Sequence, residues 1–120
     1  MSETSEQQLP ATVTRTVVLD VDVTPGKPTD RIQARRISMA AGTAAGLHVH
    51  NGPVVGNIVS GSVAYRVEGE PEVVLRPGDV FFEPEGARIA QFDALDEDVV
   101  FLGFFLLSAD QEPKLELLES

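Results

Sequence analysis

An all-β domain, a barrel or sandwich of short strands, is the fold this sequence predicts. Three observations carry that expectation. β-branched and aromatic runs recur at intervals of about ten residues, each closed by a Gly, Pro or Asn turn. No segment before Asp110 shows the 3.6-residue apolar period of a helix. At 120 residues the chain has the length of one domain with a single core.

The elements follow in order. Residues 1–11 are acidic and polar without periodicity, which predicts a flexible arm. Residues 12–23 (TVTRTVVLDVDV) are rich in Val and Thr and are expected to open the barrel. The loop TPGKPTD breaks that run, and 32–40 resumes it. Gly42 and Gly46 lead into a strand over 47–50, which Asn51-Gly52-Pro53 turns. Strands over 54–59 and 62–68 meet at Ser60-Gly61, and Gly69-Glu70-Pro71 turns the chain into 73–75. Arg76-Pro77-Gly78-Asp79 and Pro84-Glu85-Gly86 bracket 80–83. Strands over 88–92 and 99–107 complete a barrel assigned to 12–109, and the tail, 110–120, suits a short helix or an edge strand. Phe81, Phe82, Phe92, Phe101, Phe104 and Phe105 supply much of the interior bulk. Adjacent pairs such as Phe104-Phe105 cannot both face inward, and the outward ring hints at a homodimer.

Composition narrows the function. Nineteen acids against nine basic residues give a net charge of −10, which disfavours binding to nucleic acid or to an anionic membrane surface. With no cysteine, disulfides, thiolate ligands and Cys nucleophiles are excluded, and a cytoplasmic location is expected. No apolar run approaches the roughly 20 residues that span a bilayer. Neither a phosphate loop nor a nucleotide fingerprint is present.

The chemistry centres on two residues. His48 and His50 sit at i and i+2 in a strand, so both imidazoles point to one face. Tyr65, the only tyrosine, alternates with Val63 and Val67 and is placed on an interior face as a candidate catalytic hydroxyl. Arg35-Arg36 is a doublet inside a strand, and one of the two must face the barrel. Arg36 is taken as the pocket residue, able to pair with a neighbouring acid or to grip a substrate carboxylate. Gly56, an in-strand glycine on the face of Val54, is expected to open room for a ligand.

Gly42, five residues, His48 and His50, then Gly61, and later Gly78, five residues, Pro84 and Gly86, resemble the two motifs of the cupin superfamily. That resemblance implies a double-stranded β-helix barrel of the jelly-roll kind. It also implies a metal held by the two histidines, a glutamate and a second-motif histidine. Here the glutamate position is Val54, the second histidine is Ile89, and the closing asparagine is Asp93. Two aliphatic side chains therefore stand where ligands would be, and Val54 and Ile89 become pocket walls. Gln91, two residues past Ile89, is the expected substitute ligand, and Glu83, just before Pro84, is the nearest acid in sequence, its facing left open by the pattern. Two imidazoles alone predict low occupancy by Fe, Mn, Ni or Zn.

Two functions stay open at this point. One is metal-assisted isomerase, cyclase or dioxygenase-like chemistry on a small organic molecule, centred on His48 and His50. The other is a non-catalytic, metal-free pocket that binds or senses such a molecule.

Overall fold

A computed structural model describes residues 12–119, so the expected arm over 1–11 lies outside the described part, as does Ser120. Among the described residues nine strands form: β1 (Arg31–Met39), β2 (His48–His50), β3 (Val54–Ser60), β4 (Val63–Val67), β5 (Val73–Leu75), β6 (Val80–Glu83), β7 (Ile89–Ala94), β8 (Val99–Leu107) and β9 (Leu115–Leu117). No helix occurs among the described residues. The strands build two antiparallel sheets, ordered β1-β8-β3-β6 and β5-β4-β7-β2-β9, the jelly-roll arrangement that the motif resemblance implies.

β8 shows how sequence sets the layers. Along VVFLGFFLL, Val99, Gly103, Phe105 and Leu107 are buried, while Val100, Leu102, Phe104 and Leu106 lie on the outer face and are only half-buried. Period-2 alternation thus resolves the Phe104-Phe105 pair: Phe105 points in and Phe104 out. Ala34, Phe104, Val55 and Phe82 then line up across the outside of the first sheet.

Between the sheets, Ile58, Val63, Tyr65, Leu75, Phe81, Ile89, Phe92, Ala94 and Val99 form the main core. Its aromatic rings interlock, with Phe92 centred 4.9 Å from Phe101 and 5.4 Å from Phe81. Each fully buried apolar side chain of this size stabilises by about 1.5–3 kcal/mol. A smaller cluster of Val54, Phe105 and Leu107 extends towards β1, where Ile37 packs on it. Gly61 lets β3 fold back into β4: its φ is 76°, and a Cβ there would collide with the Asp98 carbonyl.

One expectation changes here, and one is narrowed to one of its alternatives. The β-rich run over 12–23 forms no strand: Val17 is 77% and Val18 68% exposed, and no described ladder includes either. Composition favours an extended backbone, but a strand also needs a neighbour to pair with. Asp30 N–H donates to the Leu107 carbonyl and the Ser108 hydroxyl to the Pro28 carbonyl, while Lys27 Nζ reaches Gln111 Oε1 at 2.7 Å. In the tail, Leu115–Leu117 is an edge strand along β2, with Leu117 opposite His48.

Candidate metal and ligand site

β2 is short because glycines and a proline bound it, and its alternation puts His48 and His50 on one face. Their ring centroids are 5.1 Å apart and nearly perpendicular. His48 is 3% exposed, and its Nδ1 lies 2.7 Å from the Gly46 carbonyl. That carbonyl can only accept, so Nδ1 carries the proton and Nε2 keeps a lone pair for a cation.

The third member is Glu83, at the end of β6. Phe81 faces the core, and Glu83, two residues on, shares its face. Glu83 is 3% exposed, and its Oε1 lies 3.0 Å from His50 Nε2. One ligand atom each from His48, His50 and Glu83 falls within 4.8 Å of the others. Two neutral imidazoles and a carboxylate suit Zn, Fe, Ni or Mn, and three protein ligands with an open side is the pattern of a catalytic rather than a structural site. Burial adds to the fit, because a carboxylate away from water needs a positive partner.

Glu83 is the site residue that the motif comparison passes over. The register supplies its explanation: Glu83 is the direct cross-strand partner of Val54, the position where the resemblance expects a glutamate. Opposite residues in an antiparallel pair share a face, so the carboxylate reaches the same pocket from the neighbouring strand.

The group sits in a cavity of about 440 Å³, walled by Ile37, Val54, Phe81, Phe92, Phe101 and Phe105 among others. Arg35 and Lys114 are its two cations. Arg35 Nε donates to Gln33 Oε1, and its guanidinium carbon lies 5.4 Å from the centre of the Phe105 ring. Phe105 in turn packs edge-on against His50, centroids 6.2 Å apart. A chain of contacts therefore runs from the Arg35 cation inward to the imidazoles.

The remaining sequence-derived residues fall as follows. Val54 lines the cavity. Arg36 does not: β1 alternates Arg35, Ile37 and Met39 inward, so Arg35 is the pocket arginine and Arg36 stands exposed on the outer face opposite Leu102. Gln91 does not share the face of the histidines. A bulge in β7 shifts the pairing from Arg66↔Gln91 to Val67↔Ile89, which reverses the parity between 89 and 91. Gln91 turns outward, accepting from Arg66 Nε and approaching Asp93. Ile89 is wholly buried opposite His48, beneath the cavity surface. Gly56 opens no ligand space, because the Phe81 ring fills the volume its Cβ would occupy.

Tyr65 is buried in the core, and its hydroxyl has no hydrogen-bond partner among the described residues. Burial first, and the nearby Glu83 carboxylate second, push its pKa well above the ordinary tyrosine value. The phenol therefore stays protonated and is a donor, not a base.

Comparison with known proteins agrees with this arrangement. Residues 35–102 match the family model described as the cupin domain. Among solved structures, the DMSP lyase DddQ from Ruegeria pomeroyi superposes with a TM-score of 0.62 at 27% identity, over 72% of this chain and 43% of its own. A cupin-like protein from Thermotoga maritima gives 0.63 at 25%, over 74% of this chain and 65% of that one. TT1209 from Thermus thermophilus gives 0.54 at 27%, over 67% and 77%. The chain thus spans less than two thirds of the first two relatives. No curated protein matches its sequence significantly. With more than half of its length in the family model and the jelly-roll sheets around a paired-histidine pocket, the chain belongs to the cupin family.

Proposed function

We propose that this protein acts on a small organic acid with the help of a divalent metal held by His48, His50 and Glu83. The observation that carries this is the convergence of those three ligand groups at a cavity whose other walls are almost wholly apolar and whose cations are Arg35 and Lys114. A bound divalent ion would supply Lewis acidity, polarising an oxygen of the substrate.

The chain's own residues do the rest. Arg35 offers a guanidinium fork to a carboxylate, and its stacking on Phe105 limits the orientations it adopts. Phe81, Phe92 and Phe101 exclude water, which strengthens every charge interaction inside. Likeness to a protein named as a DMSP lyase supports catalysis over a purely structural role. Isomerase, cyclase and dioxygenase-like reactions are further chemistries for the same pocket. We also propose a cytoplasmic homodimer, on the absence of cysteine and the apolar outer face of the first sheet.

A second reading rests on a specific contact. His50 and Glu83 already satisfy one another at 3.0 Å, so a metal-free pocket that only binds its ligand is chemically complete.

Untagged protein analysed for metals and titrated with Zn, Ni, Mn and Fe distinguishes the two. The proposal expects one ion per chain, lost in His48→Ala and in Glu83→Gln. Small carboxylates should then bind more weakly by about tenfold in Arg35→Met, the loss of one charge-assisted pair. Divalent-ion affinity unchanged in both ligand variants would overturn the metal reading. Carboxylate binding that persists in them would favour the binder.

A further inference from the structure

The cavity is polar at one end and apolar at the other, and the strand registers show which is which. On the first sheet, Glu83, Val54 and Phe105 stand opposite one another across β6, β3 and β8. The next row holds Phe81 and Arg35, with Gly56 and Gly103 between them. Beyond it, Phe101 pairs with Ile37 and Ile58, and Met39 pairs with Val99. The second sheet repeats the order. Leu115 is opposite His50 and Leu117 opposite His48. The chain just before β2 continues the wall through Ala45, where a bridge between Ala44 and Asp93 brings it to Phe92.

Both cations belong to the polar end. Arg35 sends its guanidinium back over Phe105, which packs on His50, and Lys114 directly precedes Leu115. Both are exposed, so they mark the rim. The far end is different. Met39, Ala45, Phe81, Phe92 and Phe101 wall it, and no polar side chain joins them. Phe101 is centred 4.9 Å from Phe92 and 6.2 Å from Phe81, so the three rings make one aromatic recess. Arg35 and Met39 are four strand residues apart, which puts about 13 Å of wall between the two ends.

A polar group of a ligand that finds no partner in such a recess costs its full desolvation. Among the lining side chains only two places offer a partner: the His48, His50 and Glu83 group, and the cations at the rim. Given the metal-assisted reading of the same pocket, on which this assignment rests, we infer that the substrate is a carboxylic acid with an apolar body. Its carboxylate lies at Arg35, one further oxo or hydroxy oxygen meets the metal, and an aromatic or branched hydrocarbon group fills the recess. Sugars, sugar phosphates and polyhydroxy acids are excluded, because their hydroxyls would be buried against phenylalanine and methionine. A volume of about 440 Å³ suits a body of this kind, since pockets for small organic ligands start at about 300 Å³.

Calorimetric titration of the metal-loaded protein with pyruvate, 2-oxohexanoate, phenylpyruvate and gluconate tests this. The four probes share a carboxylate with an oxygen on the adjacent carbon and differ in the body. Each buried methylene is worth about fourfold in affinity. Affinity should therefore rise at least tenfold from pyruvate to 2-oxohexanoate and to phenylpyruvate, while gluconate binds no tighter than pyruvate. Ala45→Leu narrows the recess and should bring phenylpyruvate to within about threefold of pyruvate. Arg35→Met should instead weaken all three oxo acids alike. Equal affinity for pyruvate and phenylpyruvate, or gluconate bound as tightly as phenylpyruvate, would overturn the inference and leave the metal-assisted reading standing. Binding of none of the acids would overturn both. A rising series that persists in metal-free His48→Ala would overturn the metal-assisted reading and uphold the apolar recess.

Discussion

Ile89 and His48 are direct cross-strand partners, so a side chain at 89 projects to the face of the imidazoles. Ile89→His should therefore add a fourth ligand, and a third nitrogen, to the His48, His50 and Glu83 set. Calorimetric titration with Zn or Ni is expected to show affinity at least tenfold tighter, about 1.4 kcal/mol. Without metal the same variant should melt lower, because a buried imidazole lacking a partner costs about 1–3 kcal/mol. Gly56→Ala tests the opposite kind of constraint. Its methyl would run into the Phe81 ring, which Tyr65 and Phe92 hold in place. A loss of about 1–3 kcal/mol is expected, read as a lowered melting temperature with metal affinity little changed. These residues also show what a sequence displays and what it conceals. The histidine pair is visible because i and i+2 share a face wherever a strand is regular. Glu83 is hidden because nothing in Phe81-Phe82-Glu83 says which phenylalanine points in, and Gln91 is misplaced because one bulged residue reverses its parity.

At the scale of elements, β9 matters beyond its three residues. Pro113, Lys114, Leu115 and Leu117 form one wall of the cavity, yet Leu115 and Leu117 are 48% and 66% exposed, so little apolar burial holds the strand down. Asn51 does that work instead. Its Nδ2 donates to the Glu112 carbonyl, its Oδ1 accepts from Lys114 N–H, and its backbone carbonyl accepts from Gln111 Nε2. Asn51→Ala removes the two side-chain bonds, worth about 1–3 kcal/mol together. Faster amide exchange should appear along 114–118 and stay absent from β3 and β8, since the opening is local. Ligand dissociation should quicken in step. Asn51-Gly52-Pro53 is recognisable as a turn, but its role as a clamp depends on residues sixty positions away. Residues 12–23 are the converse: their β character is plain in the composition, yet they join no described ladder.

Across the whole molecule, the site and the fold are thermodynamically one object. His48 and His50 come from β2 in one sheet, and Glu83 comes from β6 in the other. Only the closed sandwich brings them together, so an unfolded chain offers a cation two histidines and no converging acid. A metal that binds the native state alone stabilises it by about 2.7 kcal/mol at a hundred times its dissociation constant. For a domain of about this size, each kcal/mol raises the melting temperature by roughly 4 °C or somewhat more. Adding Zn or Ni at that excess should therefore lift the wild-type melting temperature by about ten degrees, and chelation should reverse it. The direction discriminates between causes. Glu83→Gln should abolish the shift while leaving the metal-free melting temperature near that of the wild type, since glutamine can still accept from His50 across the same short contact. A shift that survives Glu83→Gln and His48→Ala together would mean that the ion binds among the chain's other acids, and the pocket would lose its claim to a metal.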